Sequence, residues 1–479
     1  MKDNNYPNAG CRPVQEIVME KANFSRRDFL RTAGFAAGMI LCPGLLKAKS
    51  SRRKKPNFVV FMIDDLGYGD IGCYGGSVKT PNIDRLAKAG LRFTDFHSNG
   101  PMCSPTRAAF MTGCYQSRFG RQFESALGGS SGVTEKGLPL DAVTIAEILR
   151  KADYATGMFG KWHLGYKPPL MPTNQGFDEY RGMVTGGGDH HTHIDRSGNK
   201  DWWHNGRIEM EEGYTTTLLT DHSVDFITEN KDRPFFLYLA HLAIHFPWQG
   251  PDDPPHRVEG KSYHKDKWGI IPDEKNVRPH VEAMIQAVDE SVQRVMETLK
   301  KNGLTDNTLV VFMSDNGGYI HYSNRFQNIS SNGPLQGQKG QVYEGGHRVP
   351  CIAFWPGKIA KGKVTDQTTM TMDFYPTIAK LAGAALPAKQ KIDGVDLSQL
   401  MFRDRPIDDR AVFWRKGNSK AARKGPWKLV AQGSKTELYN LTEDIGEKTN
   451  LAAANPKKLK ELKQALTEWE EQVASGYKI

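Results

Sequence analysis

Residues 57–70 read NFVVFMIDDLGYGD, and residues 308–318 read TLVVFMSDNGG. Each is an unbroken apolar run that stops at acidic or amide residues and then at glycine. A strand with one face in water alternates polar and apolar residues; a run without that alternation reads as a strand covered on both faces. Other segments fit the same frame. TPNIDRLAKAGLRF (80–93) predicts a helix with Thr80 as N-cap, Pro81 in the first turn and Gly90 as its stop. A helix around Thr144–Ala152 precedes the strand-like YATGMFG, and PFFLYLAHL is a further buried strand. VEAMIQAVDESVQRVMETLKKNG is a long amphipathic helix leading into the second apolar run, and RVPCIAFWPG and DFYPTIAKLAG continue the alternation. Strands alternating with helices predict an α/β fold, a largely parallel central sheet flanked by helices.

From about residue 400 the texture changes to short segments, AVFWR, WKLVAQG and TELYNL, followed by a helix from Pro456 to Ser475. This predicts a smaller C-terminal antiparallel sheet with a helix packed on it. The expected division is 1–55, 56–400 and 401–479. Residues 182–280, rich in Gly, His, Trp and Pro, read as long loops carrying a surface function.

The net charge of +10 is not spread evenly: 12 of the 64 basic and 4 of the 54 acidic residues fall within the first 55. The remaining 52 basic residues face 50 acidic ones, so the body of the chain has no electrostatic reason to bind nucleic acid. The basic excess surrounds SRRDFLRTAGFAAGMILCPGLLKAKS (25–50), whose apolar run is too short and weak for a stable membrane span. Ser25, Arg26, Arg27, Phe29 and Leu30 make it resemble a twin-arginine export signal. That resemblance implies the twin-arginine translocation machinery as a partner and a periplasmic or extracellular location. Cys11 and Cys42 fall in this segment; Cys73, Cys103, Cys114 and Cys351 show no zinc-type spacing, and nothing selects a disulfide among them.

Both apolar runs end in oxygen ligands, Asp64 and Asp65 on one and Asp315 and Asn316 on the other. Ligands of open parallel sheets bind beyond the carboxyl ends of the strands. Acids converging there repel unless a cation lies between them, and oxygen donors suit calcium or magnesium. Either ending alone would read as a turn. A second set, Lys161 and His163 in FGKWHLG, His241 and His245 in LAHLAIHFPW, and Lys339 in LQGQKGQVYEGGHRVP, describes an anion pocket beside that cation. PMCSPTRAAFMTG (101–113) then places Cys103 at the mouth of a helix, where a thiolate suits an oxygen-bound cation poorly and an oxygen nucleophile would suit it well.

CSPTRAAFMTG resembles the signature of the type I, formylglycine-dependent sulfatases (arylsulfatase-like) of the alkaline-phosphatase-like superfamily, whose core is Cys-x-Pro-x-Arg. DDLGYGD, PNIDRLAKAGLRF, GKWHLG, SDNGG, YEGGHRVP, DFYPTIAKLAG and GPWKLV occur in the family's order, and the likeness spans residues 57–470. Thr106 stands where many members carry serine. The resemblance implies a sulfuric ester hydrolase acting on a sulfated carbohydrate. It implies that a formylglycine-generating or anaerobic sulfatase-maturing enzyme converts Cys103 to Cα-formylglycine. It also implies calcium held by Asp64, Asp65, Asp315, Asn316 and the modified Cys103. By the same resemblance Arg107 steadies the nucleophile, Lys161 and Lys339 hold sulfate oxygens, His163 lies beside the nucleophile and His245 protonates the leaving alcohol. Two alternatives share the fold: a phosphate or phosphonate monoester hydrolase, and a non-catalytic sulfoglycan-binding protein if Cys103 is not matured. His190, His191, His193, Trp202 and Trp203 would suit a sugar ring, though packing would explain them equally.

Overall fold

The computed structural model describes residues 55–265, 276–323 and 325–476; Arg26, Arg27 and the rest of the basic N-terminal segment lie outside them. Ten strands form one sheet: β1 (Asn57–Ile63), β2 (Leu91–Phe93), β3 (Ala155–Gly160), β4 (Glu179–Gly182), β5 (Trp203–His204), β6 (Arg207–Ile208), β7 (Phe235–His241), β8 (Thr308–Ser314), β9 (Cys351–Phe354) and β10 (Lys363–Thr365). Their order is β10-β2-β9-β8-β1-β7-β3-β4-β5-β6. The middle strands β8, β1, β7, β3 and β4 are mutually parallel.

Every residue of β1, β7 and β8 is buried. Phe58, Val60 and Met62 enter one hydrophobic cluster, and Val59, Phe61 and Ile63 enter the other, on the opposite face. That is why the run shows no alternation: both faces are dry, at roughly 1.5–3 kcal/mol for each large side chain buried. Helices α1 (Pro81–Ala89), α2 (Cys103–Thr112), α3 (Ile145–Lys151), α4 (Thr215–Glu229), α5 (Arg278–Lys301) and α6 (Phe374–Ala382) cover the sheet. α1, α4 and α5 contribute to one cluster, and α2, α3 and α6 to the other. The expected start of α3 is a full capping box: Thr144 Oγ1 accepts from Glu147 N at 3.1 Å, and Glu147 Oε2 accepts from Thr144 N at 2.7 Å.

Three elements depart from the expectation. β9 runs antiparallel to β8. The chain leaves β8 at its carboxyl end, stays there through residues 315–350, and must therefore re-enter the sheet in the opposite direction. Within the stretch expected to be loops lies α4, whose buried side is Thr216, Leu219, Thr220, Ser223, Phe226 and Ile227. Its helical stripe is masked in sequence because half of it is hydroxyl residues. These become acceptable inside by donating to the preceding turn, Thr220 Oγ1 to Thr216 O and Ser223 Oγ to Leu219 O, both at 2.7 Å.

The C-terminal sheet has four antiparallel strands, β11 (Ala411–Lys416), β12 (Ser419–Lys424), β13 (Trp427–Gln432) and β14 (Lys435–Asn440). The unexpected one is β12, whose lysines and arginine concealed it. α7 (Pro456–Ala474) lays Leu462, Leu466, Trp469 and Val473 on this sheet. The same cluster includes Ala109, Tyr115, Val342 and Met370, so these strands share a core with the body of the protein. Beside that core lies a buried ionic network. Arg423 grips both oxygens of Asp95, each at 2.7 Å, and Lys428 donates to Glu344 Oε1 at 2.8 Å.

Lys428 is fully buried between the carboxylates of Glu344 and Glu447, each 2.8 Å away, so Lys428→Met should cost about 3–5 kcal/mol by removing the cation that separates two buried acids. Denaturant melting reads this directly, and an unchanged midpoint would exclude it. Burial alone would raise Asp95 and Glu344; Arg423 and Lys428 respectively outweigh it and hold both below the usual carboxylate range. The stability they contribute is therefore present above their unfolded values of about 4 and lost as pH falls below them.

Candidate active site

The parallel strands deliver their carboxyl ends to one edge, and the expected residues meet there. Asp64 and Asp65 follow β1, Asp315 and Asn316 follow β8, and Lys161 and His163 follow β3. Cys103 is the first residue of α2, a helix buried along its whole length. Arg107, one turn on, ties these ends together. Its Nε and Nη2 donate to Asp315 Oδ2 at 3.0 and 2.7 Å, and its Nη1 donates to the Lys161 carbonyl at 2.8 Å. Asp65 and His163 both adopt positive φ, 66° and 57°, a conformation that side chains other than glycine take at a cost.

Electrostatically the cluster is frustrated. Burial raises the Asp64 carboxyl, against the pull of Lys161 and with Asp65 adding to the rise. Burial likewise raises Asp315, and Asp64 adds to it. Lys161 pairs with Asp64, and Lys339 with Asp65. Even so, Asp64 Oδ1 and Asn316 Oδ1 are buried without a hydrogen-bond partner among the described residues. Ligand atoms of Asp64, Cys103 and Asp315 lie within 4.8 Å of one another. Buried oxygens without donors, converging in this way, fit a hard divalent cation. A second grouping, His97, Glu344 and His347, also has metal-type donors. There Lys428 already occupies both Glu344 and His347, at 2.8 and 3.2 Å, so a protein cation stands where an ion would.

Cys103 Sγ lies 3.2 Å from His163 Nδ1, whose Nε2 is 2.9 Å from the Leu127 carbonyl. Burial raises the thiol, which leaves the unmodified cysteine a poor nucleophile. Burial, then Lys161, holds His163 well below the usual imidazole range. Cys103, His163, His245 and Lys339 line one cavity of about 310 Å³. A larger cleft of about 630 Å³, between α1 and α5, contains none of these residues.

Residues 56–384 match the Sulfatase family model, and residues 338–474 match the N-sulphoglucosamine sulphohydrolase C-terminal model. The chain belongs to the sulfatase family. It is 35% identical to rat (Rattus norvegicus) N-acetylgalactosamine-6-sulfatase over 78% of this chain and 71% of that one. It is 34% identical to human (Homo sapiens) arylsulfatase A over 86% of this chain and 87% of that one. Among solved structures it resembles Ps i-CgsB in complex with k-i-k-neocarrahexaose, with TM-score 0.75 and 34% identity over 87% of this chain and 93% of that one. The phosphonate monoester hydrolase of Agrobacterium radiobacter, 20% identical with TM-score 0.60 over 87% of this chain and 96% of that one, shares the fold.

Not every expected residue reaches the pocket of this sulfatase. His241 faces α5 instead, 2.9 Å from Ser291 Oγ, because it ends β7 on the other side of the sheet. The sugar-suited group is also displaced. His190, His193 and Trp202 are fully buried, His193 stacks on Trp202 at 4.2 Å, and His190 Nε2 lies 3.0 Å from the His245 carbonyl. These side chains build the loop rather than the cavity wall. Cys73, Cys103, Cys114 and Cys351 are all free, and no helix among the described residues is long and apolar enough to cross a membrane. The cavity wall instead includes Asp195, Arg196, Arg257, Tyr319 and Tyr322. Sequence reading missed them because they stand singly in irregular segments, where no periodicity marks a shared face.

Proposed function

We propose that this sulfatase removes sulfate from a sulfated carbohydrate, with formylglycine made from Cys103 as nucleophile and calcium held by Asp64, Asp65, Asp315 and Asn316. The observation that carries the reading is the pair of buried oxygens without a partner among the described residues, Asp64 Oδ1 and Asn316 Oδ1, at the strand ends where Asp64 and Asp315 group with Cys103. Bound there, calcium would supply a Lewis acid that polarises the sulfate ester. The aldehyde residue would supply an oxygen nucleophile where the buried thiol is inert. The carbohydrate assignment draws on the relatives, one named for N-acetylgalactosamine 6-sulfate and one solved with a neocarrahexaose.

The chain's own residues divide the remaining work. Arg107 fixes the start of α2 against the ends of β3 and β8 through its three hydrogen bonds. His163, anchored at Leu127, orients the group at position 103. Lys339 brings an ammonium charge to the cavity wall where the ester's oxygens would sit, and Lys161, buried behind it on Asp64, adds a second. His245, with Nδ1 held 2.8 Å from the Phe246 carbonyl, is left with Nε2 for the leaving oxygen.

The test is a desulfation screen of protein co-expressed with a formylglycine-generating or anaerobic maturing enzyme, against defined sulfated saccharides. Mass spectrometry should show the Cys103 peptide losing sulfur and gaining an aldehyde; a retained thiol in fully active protein would overturn the mechanism. Calcium added to metal-stripped protein at about 100 times its Kd should add about 2.7 kcal/mol and raise Tm by a few degrees. In Asp315→Ala that rise should disappear; an equal rise in both proteins would remove Asp315 from the site. Export by the twin-arginine route belongs to the same reading. Arg26→Lys with Arg27→Lys should retain the protein in the cytoplasm, and unchanged fractionation would exclude the signal.

A further inference from the structure

The cavity has a second cationic wall that the reaction does not use. Arg257 lines it at only 2% exposure, yet among the described residues its side chain makes a single hydrogen bond, Nη1 to the Ile194 carbonyl at 3.4 Å. Its guanidinium carbon lies 5.8 Å from the centre of the Tyr263 ring, a cation–π contact that leaves the charge in place. Arg196 lines the same wall, and its Nε is buried with no partner among the described residues.

The neighbouring carboxylates are committed elsewhere. Asp189 accepts from the amides of His191, Thr192, His256 and Arg257 at 2.8–2.9 Å. Asp195 accepts from the amides of Ser131, Ser197 and Asn199 at 2.8–3.0 Å. The charges acting most on Arg257 are those of Asp189, Arg196 and Asp195, whereas those acting most on Cys103 are Lys161, Lys339, Asp64 and Asp315. Arg196 and Arg257 thus form a grouping distinct from the Lys161 and Lys339 pair within one cavity. A buried guanidinium with its donors unspent is costly in the free protein, and an incoming anion would offset that cost.

We propose that Arg196 and Arg257 form a second anion subsite, which takes a carboxylate or a further sulfate on the same saccharide that presents its reactive sulfate to Cys103. This rests on the carbohydrate reading above and narrows it to saccharides carrying at least two anionic groups. The guanidinium planes suit both oxyanions in a bidentate manner.

The experiment is calorimetric titration of the calcium-loaded protein with Cys103 unconverted, so that binding is read without turnover. Three probes are compared: a neutral-sugar disaccharide monosulfate, its disulfate, and a uronate-containing monosulfated disaccharide. Wild-type protein should prefer one or both of the doubly charged probes, and whichever it prefers identifies the second anion. Arg257→Gln and Arg196→Gln should each reduce that preference about tenfold to hundredfold, the worth of one charge-assisted pair, and Arg257→Lys should restore part of it. Arg196 is only half-buried, so its variant carries the test should Arg257→Gln fail to fold by circular dichroism. An unchanged preference in the folded variants, an equal loss on all three probes, or no preference in the wild type would overturn the subsite. If the subsite effect is present but the matured enzyme cleaves no carbohydrate sulfate in the screen, the substrate reading falls and the anion site stands.

Discussion

Cys103→Ala yields a folded protein whose turnover is lowered about a millionfold, the scale of loss when a nucleophile is removed from a machinery that acts as one unit. The fold should survive because the Cys103 side chain is a small part of its surroundings. Its Sγ has one hydrogen-bond contact, His163 Nδ1 at 3.2 Å, while the remainder of α2 is buried by its own side chains. The substitution removes one buried atom and costs on the order of 1–2 kcal/mol. The chemistry should not survive, because alanine at position 103 can neither be oxidised to the aldehyde nor offer an atom to attack sulfur. Hydrolysis of an aryl sulfate measures the first quantity and thermal melting the second. Activity within tenfold of wild type in a folded variant would overturn the assignment of position 103.

His245→Ala should lower turnover of sugar sulfates about 10²–10⁴-fold and that of activated aryl sulfates far less. A sugar alkoxide is a poor leaving group and needs a proton as the ester bond breaks; an aryl oxide departs nearly unaided. His245 is placed for this: it lines the cavity, its ring stacks on Phe246 at 4.7 Å, and Nδ1 is occupied by the Phe246 carbonyl. In the free protein burial, then Lys161 and Lys339, keep the imidazole well below its usual range and therefore neutral. An anionic ester set against the two ammonium groups counters their repulsion, so His245 gains its proton most readily with substrate in place. The check is the ratio of kcat/KM for the two substrate types in wild type and variant. An equal loss on both would remove the acid role.

The contrast between what was readable and what was not follows one physical line. Features set by contiguous residues were legible: the uninterrupted apolar runs at 57–63 and 308–314, the acids that end them, the helix around Thr144–Ala152, and the Cys-x-Pro-x-Arg turn at 103–107. In each, the local chain already contains the cause of the structure, be it burial on both faces, a helical pattern, or a ligand at a strand end. β12 and α4 were hidden because their buried faces are built from short or charged side chains whose acceptability depends on partners elsewhere. Arg423, for example, is tolerable in β12 because Asp95, 328 positions away, receives it with both oxygens. The site shows the same division. That Asp64, Lys161, His163 and Asp315 share a strand edge follows from sequence, because parallel strands deliver their carboxyl ends together. That His241 faces Ser291 instead, that His193 stacks on Trp202, and that Arg196 and Arg257 meet in one wall were decided by tertiary packing. Strand-end residues inherit their position from the sheet, whereas side chains on irregular loops take theirs from contacts that no local pattern encodes.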